Sequence, residues 1–197
     1  MSCSKPPTIP SPSMKTTLKD LIIDYKKNNS SLYNDLNGVL ALKGKSIPKV
    51  FLRRCVCNRN RHQWCLSNKA VDDAVNKLLT HPTFTTSTFK DFEDLYDTIY
   101  NIIGHGNTGI SYCTVYDTAI RYGWTLSPKI EPDKYVYVHR KLVSSAKHIL
   151  GGKAPIVNHC RINRSEFDKK EPEFKKLTAL EIEDFLCVYH AGIINLP

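Results

Sequence analysis

The stretch Ser87–Ile103 constrains the fold most. Phe92, Leu95, Ile99, Ile102 and Ile103 step by three and four residues, so they share one face of a helix. Asp91, Glu93 and Asp94 stand near its N-terminal end, where carboxylates suit the helix dipole. Gly104-His105-Gly106 then stops it. A second helix is predicted over Ser111–Tyr122, with Val115, Ala119 and Ile120 apolar and Gly123 as its C-terminal cap. The two helices are expected to pack on each other.

The same periodicity runs along the rest of the chain. Helices are predicted over Thr16–Lys27, Ser31–Leu42, and from Pro48 towards Cys57, with Pro48 in the first turn. Asn58–His62 is polar and basic and reads as loop. Ser67 or Asn68 can cap a helix through Leu79, which His81-Pro82 ends. Tyr135–Val138 alternates like a strand. With no partner strand in view, it reads as an extended lead-in to a helix over His139–Leu150, closed by Gly151-Gly152. Lys153–Lys176 is polar and mostly loop. Thr178 and Glu181 stand at capping-box spacing at the head of a last helix, Thr178–Tyr189. The expected class is all-α: a helical bundle forming one domain over 16–197, behind a disordered tail over 1–15.

Charge narrows the function classes. Of the 197 residues, 41% are hydrophobic, enough for a real core. The net charge is +9. Met1–Leu66 holds 12 Lys and Arg against 3 Asp and Glu, whereas Ser67–Pro197 is balanced. That asymmetry points to a polyanion-binding face, because phosphate contacts dominate nucleic-acid affinity. No apolar run approaches a membrane span, and no membrane partner is expected. Seven scattered cysteines fit reduced thiols and a cytoplasmic location, with the nucleoid or nucleus as alternatives. Cys55, Cys57, His62 and Cys65 could donate to zinc, but their spacing is not that of a common finger. They read as buried or incidental thiols, and no metal or cofactor is expected.

The densest basic and aromatic cluster is Arg53, Arg54, Arg59, Arg61 and Trp64. Arginine pairs well with phosphate and tryptophan stacks on bases. Gly104-His105-Gly106 between two helices is the outline of a helix–hairpin–helix. There, backbone amides at the start of the second helix hold a DNA phosphate without sequence preference.

These segments, in this order, resemble the helix–hairpin–helix DNA glycosylases, the superfamily of endonuclease III. The resemblance spans roughly Lys49 to Gly151. Asp72-Asp73-Ala74-Val75-Asn76-Lys77 is similar to the helix start that follows the family's early DNA-contacting loop. Gly104–Gly123 is similar to its hairpin and following helix, with Thr108–Cys113 as a short insertion. Val136-Tyr137-Val138-His139 is similar to the stretch that ends on the family's catalytic aspartate. Cys113–Ala119 also resembles poorly characterised bacterial and phage relatives of the superfamily.

The departures bear on chemistry. Tyr137 stands where the resemblance places the catalytic aspartate, and Gly109–Asp117 offers no nucleophilic lysine. A phenol cannot stabilise cationic character at the sugar as a carboxylate does. If the chain is catalytic, Asp117 is the expected carboxylate, with Tyr116 and His139 as neighbours. The expectation is a nucleic-acid-binding, glycosylase-like protein, with action on a base or modified base left open. The alternatives are a non-catalytic protein-interaction or inhibitory module, and an enzyme acting on a free nucleotide. No protein partner is specified.

Overall fold

The computed structural model describes residues 16–46, 48–58, 66–86, 88–104, 109–139, 141–152, 154–157 and 160–197. The tail over 1–15 lies outside them. In order come α1 (Leu18–Asn28), α2 (Ser30–Leu40), α3 (Pro48–Val56), α4 (Asn68–Thr80), α5 (Pro82–Thr86) and α6 (Phe92–Ile99). A π-helical turn, Tyr100–Gly104, follows, then α7 (Tyr112–Trp124), β1 (Tyr135–Tyr137), α8 (Lys141–Ile149) and β2 (Arg161–Asn163). The chain ends with α9 (Arg164–Lys170), a 3₁₀ turn (Pro172–Lys176), α10 (Ala179–Val188) and α11 (His190–Ile194). The fold is mostly helical. Among the described residues no helix is long and apolar enough to cross a membrane.

Local chemistry explains the helix starts. Thr17, Ser67, Asp91, Ser111 and Thr178 each accept a backbone N–H from the first turn that follows. Each bond satisfies an amide the helix itself leaves unpaired. The capping box expected at Thr178 and Glu181 forms both of its bonds. Gly151 and Gly152, at φ of 76° and 88°, close α8 in backbone that side chains disfavour.

Four expectations need correction. The helix read as starting at Ser87 starts at Phe92. The Asp91 carboxylate takes the Asp94 N–H at 2.9 Å and fixes the first turn there. Gly123 is not a cap but a residue inside α7. A Cβ on it would collide with the Ile130 carbonyl oxygen. Tyr135–Val138 has a partner after all: β1 pairs antiparallel with β2, with Val136 opposite Ile162 and Tyr137 opposite Arg161. Finally, Lys153–Lys176 is not mostly loop. It carries β2, α9 and the 3₁₀ turn, held by Ile162, Phe167 and Phe174, which are all fully buried. Those three apolar residues are too far apart to print a period.

Two apolar clusters form. The first joins α2 to α7, through residues such as Leu36, Val56, Val75, Leu95, Ile99 and Val115. The second joins α1 to β1, β2 and the elements from α8 onward. α1 reaches across the sequence, its Tyr25 hydroxyl donating to the Asp184 carboxylate at 3.1 Å. β1 is the seam. Tyr137 belongs to the first cluster while Val136 and Val138 belong to the second, as strand alternation dictates.

Candidate nucleic-acid interface

α6 and α7 pack on each other, and the Gly104-His105-Gly106 segment lies between them in the sequence. His105 and Gly106 lie outside the described residues. Gly104 is described, and its glycine is explained by close approach, not by a left-handed turn. A Cβ on it would come within 2.5 Å of the Tyr100 ring, which lies across it. The left-handed residue described between α6 and α7 is Gly109, at φ 71°. A Cβ there would stand 3.4 Å from that of Ala70, so the chain just ahead of α7 runs against the first turn of α4. No local pattern around Gly109 marks it for this approach.

Between α4 and the flanking residues Ile103 and Gly109 lies a groove of about 630 Å³. Ser67, Lys69, Asp73, Lys77, Ile103 and Gly109 are among the residues lining it. Lys69 and Lys77 are two helical turns apart, so both stand on one side of α4. Neither is ion-paired among the described residues. At the head of α7, Ser111 takes the Thr114 N–H at 3.3 Å.

The arginine cluster divides. Arg53 pairs with Asp72 and donates to Asn68 at 3.0 Å, tying α3 to the start of α4. Arg54 donates to Asn58 at 2.6 Å and to Asp35 at 3.4 Å. Both therefore hold helices together, though about a third of each side chain remains exposed, 37% and 31%. Arg59, Arg61 and Trp64 lie outside the described residues, as do His62 and Cys65 of the candidate zinc set. Cys55 is fully buried, and burial pushes its thiol up to about 12, so it is protonated at neutral pH.

The three residues named for catalysis are not all in one place. Tyr116 and His139 meet, with ring centroids 5.5 Å apart. Tyr116 also stacks on Tyr137 at 4.9 Å, and Tyr137 touches Tyr96 at 4.7 Å and Phe92 at 5.4 Å. Tyr96, Tyr116 and Tyr137 have no exposed surface. Burial drives the Tyr116 and Tyr137 pKa values upward, and neither hydroxyl has a hydrogen-bond partner among the described residues. The Arg161 guanidinium lies 5.1 Å from the Tyr96 ring and 5.3 Å from that of Tyr137, and pairs with Asp97. It covers the position that the resemblance gives to a catalytic aspartate.

Asp117 takes another path. Its carboxylate stands 3.9 Å from the Arg121 guanidinium, one turn along α7. Arg121 is only 2% exposed. It donates to Asp35 at 2.9 Å and to the Cys55 carbonyl at 3.0 Å. Burial opposes its charge, but Asp117 and Asp35 outweigh that and raise its pKa, so it stays protonated. Asp35 also accepts from Asn58 and Arg54, so this one carboxylate ties α2, α3 and α7 together. Sequence reasoning misses both Asp35 and Arg121, because nothing local marks a charged residue that will be buried.

Compared with family models, with curated proteins and with solved structures, the chain matches none.

Proposed function

We propose that this chain binds the backbone of DNA on a glycosylase-like helical scaffold and does not excise bases by the usual route. One observation carries the reading. Ile103 and Gly109, on either side of the Gly104-His105-Gly106 segment, line a single groove with Asp73, Asn76 and Lys77 of the stretch similar to the helix start that follows the family's DNA-contacting loop. The groove's two lysines, Lys69 and Lys77, have no ion-pair partner among the described residues. Lys69 in the first turn of α4 and Lys77 in its last suit two separate phosphates, which are read by charge and not by base. The basic first third of the chain adds long-range attraction. The absence of excision is supported by Tyr137, a buried phenol stacked among rings where a solvated carboxylate is needed.

The test is duplex binding over a range of salt. Lys69→Glu with Lys77→Glu is expected to weaken binding equally across sequences. The log–log salt slope is expected to fall by about 2, at roughly 0.9 for each phosphate no longer neutralised. Unchanged affinity and slope would remove the groove from the interface. A parent that binds no DNA at low salt would refute the reading and leave the protein-interaction module. Release of uracil or damaged bases by the parent would refute its second half.

A further inference from the structure

We infer that Tyr100 and Tyr112 form an oxidative cross-linking site, a dityrosine staple across the base of the hairpin. The site is independent of any nucleic-acid binding. Tyr100 opens the π-helical turn and Tyr112 opens α7. Their rings are nearly parallel, with centroids 5.4 Å apart and planes 12° apart. Their hydroxyl oxygens are 3.2 Å apart. Tyr112 is 43% exposed. Gly104 maintains the arrangement, because only a glycine lets the Tyr100 ring lie where it does.

The other close tyrosine pairs lack one requirement or another. Tyr116 and Tyr137 stack at 4.9 Å but are sealed from solvent, and their hydroxyls have no acceptor among the described residues. A phenol that loses an electron must also release its proton, and these two have nowhere to send it. Tyr96 and Tyr137 are equally sealed. Tyr25 and Tyr189 meet edge to face at 82°, and Tyr25 is 1% exposed. Among the described residues, only the hairpin pair combines aligned rings, facing oxygens and access to water. It is also the outer end of a continuous series of rings. Tyr100 stacks on Tyr96 at 6.4 Å, Tyr96 touches Tyr137, and Tyr137 touches Tyr116. Oxidation anywhere along that series is drained towards the end where a proton can leave.

The step balances with two equivalents of a one-electron oxidant. Each phenol gives one electron to the oxidant and its hydroxyl proton to water. The two phenoxyl radicals join at ring carbons ortho to oxygen. The ortho hydrogens then move to the oxygens, restoring both phenols. The product is two hydrogens lighter and ties the end of α6 to the start of α7.

The experiment uses the full chain, photogenerated tris(bipyridine)ruthenium(III) as oxidant and persulfate as the sink for electrons. Dityrosine fluorescence is expected in the monomer band, with a peptide joining Tyr100 to Tyr112 at a mass two hydrogens below the sum. Tyr100→Phe and Tyr112→Phe keep the stacked rings, and each is expected to reduce the monomer signal to background. Gly104→Ala is expected to lower it by displacing the Tyr100 ring. Tyr33→Phe is expected to leave it intact. Monomer dityrosine surviving in Tyr112→Phe, a cross-link mapping to another pair, or cross-linking only between molecules would each overturn the inference.

Discussion

Replacing Gly123 with alanine is a sharp test of how α7 is seated. In an isolated helix the change favours folding by about 1 kcal/mol. Here the new methyl would stand closer than 3.0 Å to the Ile130 carbonyl oxygen and 3.1 Å from Leu95 Cδ2. The carbonyl cannot swing aside, because its own segment is bound to Gly123. The Ile130 and Leu126 N–H groups both donate to the Gly123 carbonyl, at 3.0 and 3.1 Å. Overpacking of this kind costs about 1–3 kcal/mol, and a backbone obstacle puts it at the upper end. The net expectation is a loss of about 2 kcal/mol, or a Tm lower by roughly 4–8 °C for a chain of this size. Gly38 supplies the control. It lies inside α2 with nothing within 4 Å of a Cβ, so Gly38→Ala is expected to stabilise by about 0.5–1 kcal/mol. Urea and thermal melts followed by circular dichroism read both variants. If Gly123→Ala melts at or above the parent while Gly38→Ala behaves as expected, the packing argument is wrong.

Three further outcomes follow from the charged groups. Asp35→Ala leaves the buried Arg121 guanidinium without its closest carboxylate and is expected to destabilise by roughly 3–5 kcal/mol. A urea midpoint close to the parent's would show that Asp35 does not hold that charge. Asp117→Asn removes the carboxylate that does most to keep the buried Arg121 charged, in a pair only 2% and 12% exposed, so a loss of up to about 3 kcal/mol is expected, with DNA affinity unchanged. Loss of a measured activity in a folded Asp117→Asn variant would return Asp117 to the catalytic candidates. Burial, with Asp91 adding to it, raises the Glu93 pKa. A carboxyl raised on folding is disfavoured when ionised. Stability therefore rises as pH falls through its folded value and is lost again above it. Glu93→Gln is expected to flatten that part of the pH dependence, and a variant with the parent's slope there would count against the assignment.

Local features of this protein are written in its sequence. Helix starts at Asn68 and Ala179 are legible because a cap is a bond between residues three apart, as in Thr178 with Glu181. The packing of α6 on α7 is legible because Phe92, Leu95 and Ile99 repeat at the helical period. Whatever depends on a distant partner is settled only in three dimensions. Tyr135–Tyr137 is a strand only because Arg161–Asn163 lies beside it. Gly123 reads as a cap until the Ile130 carbonyl is seen against it. Of the candidate site, the groove that brings Ile103 and Gly109 beside Asp73 and Lys77 is not legible, because those residues lie far apart in the sequence. Arg53, Arg54 and Asp117 read as free functional charges. Folding sets Asp72, Asp35 and Arg121 beside them: Arg53 pairs with Asp72 at the half-exposed surface, whereas Asp117 pairs with Arg121 in a low-dielectric interior, where pairing takes precedence over display to solvent. Periodicity and capping are encoded within a few residues, whereas the partner of a buried charge is chosen by the packing of whole helices.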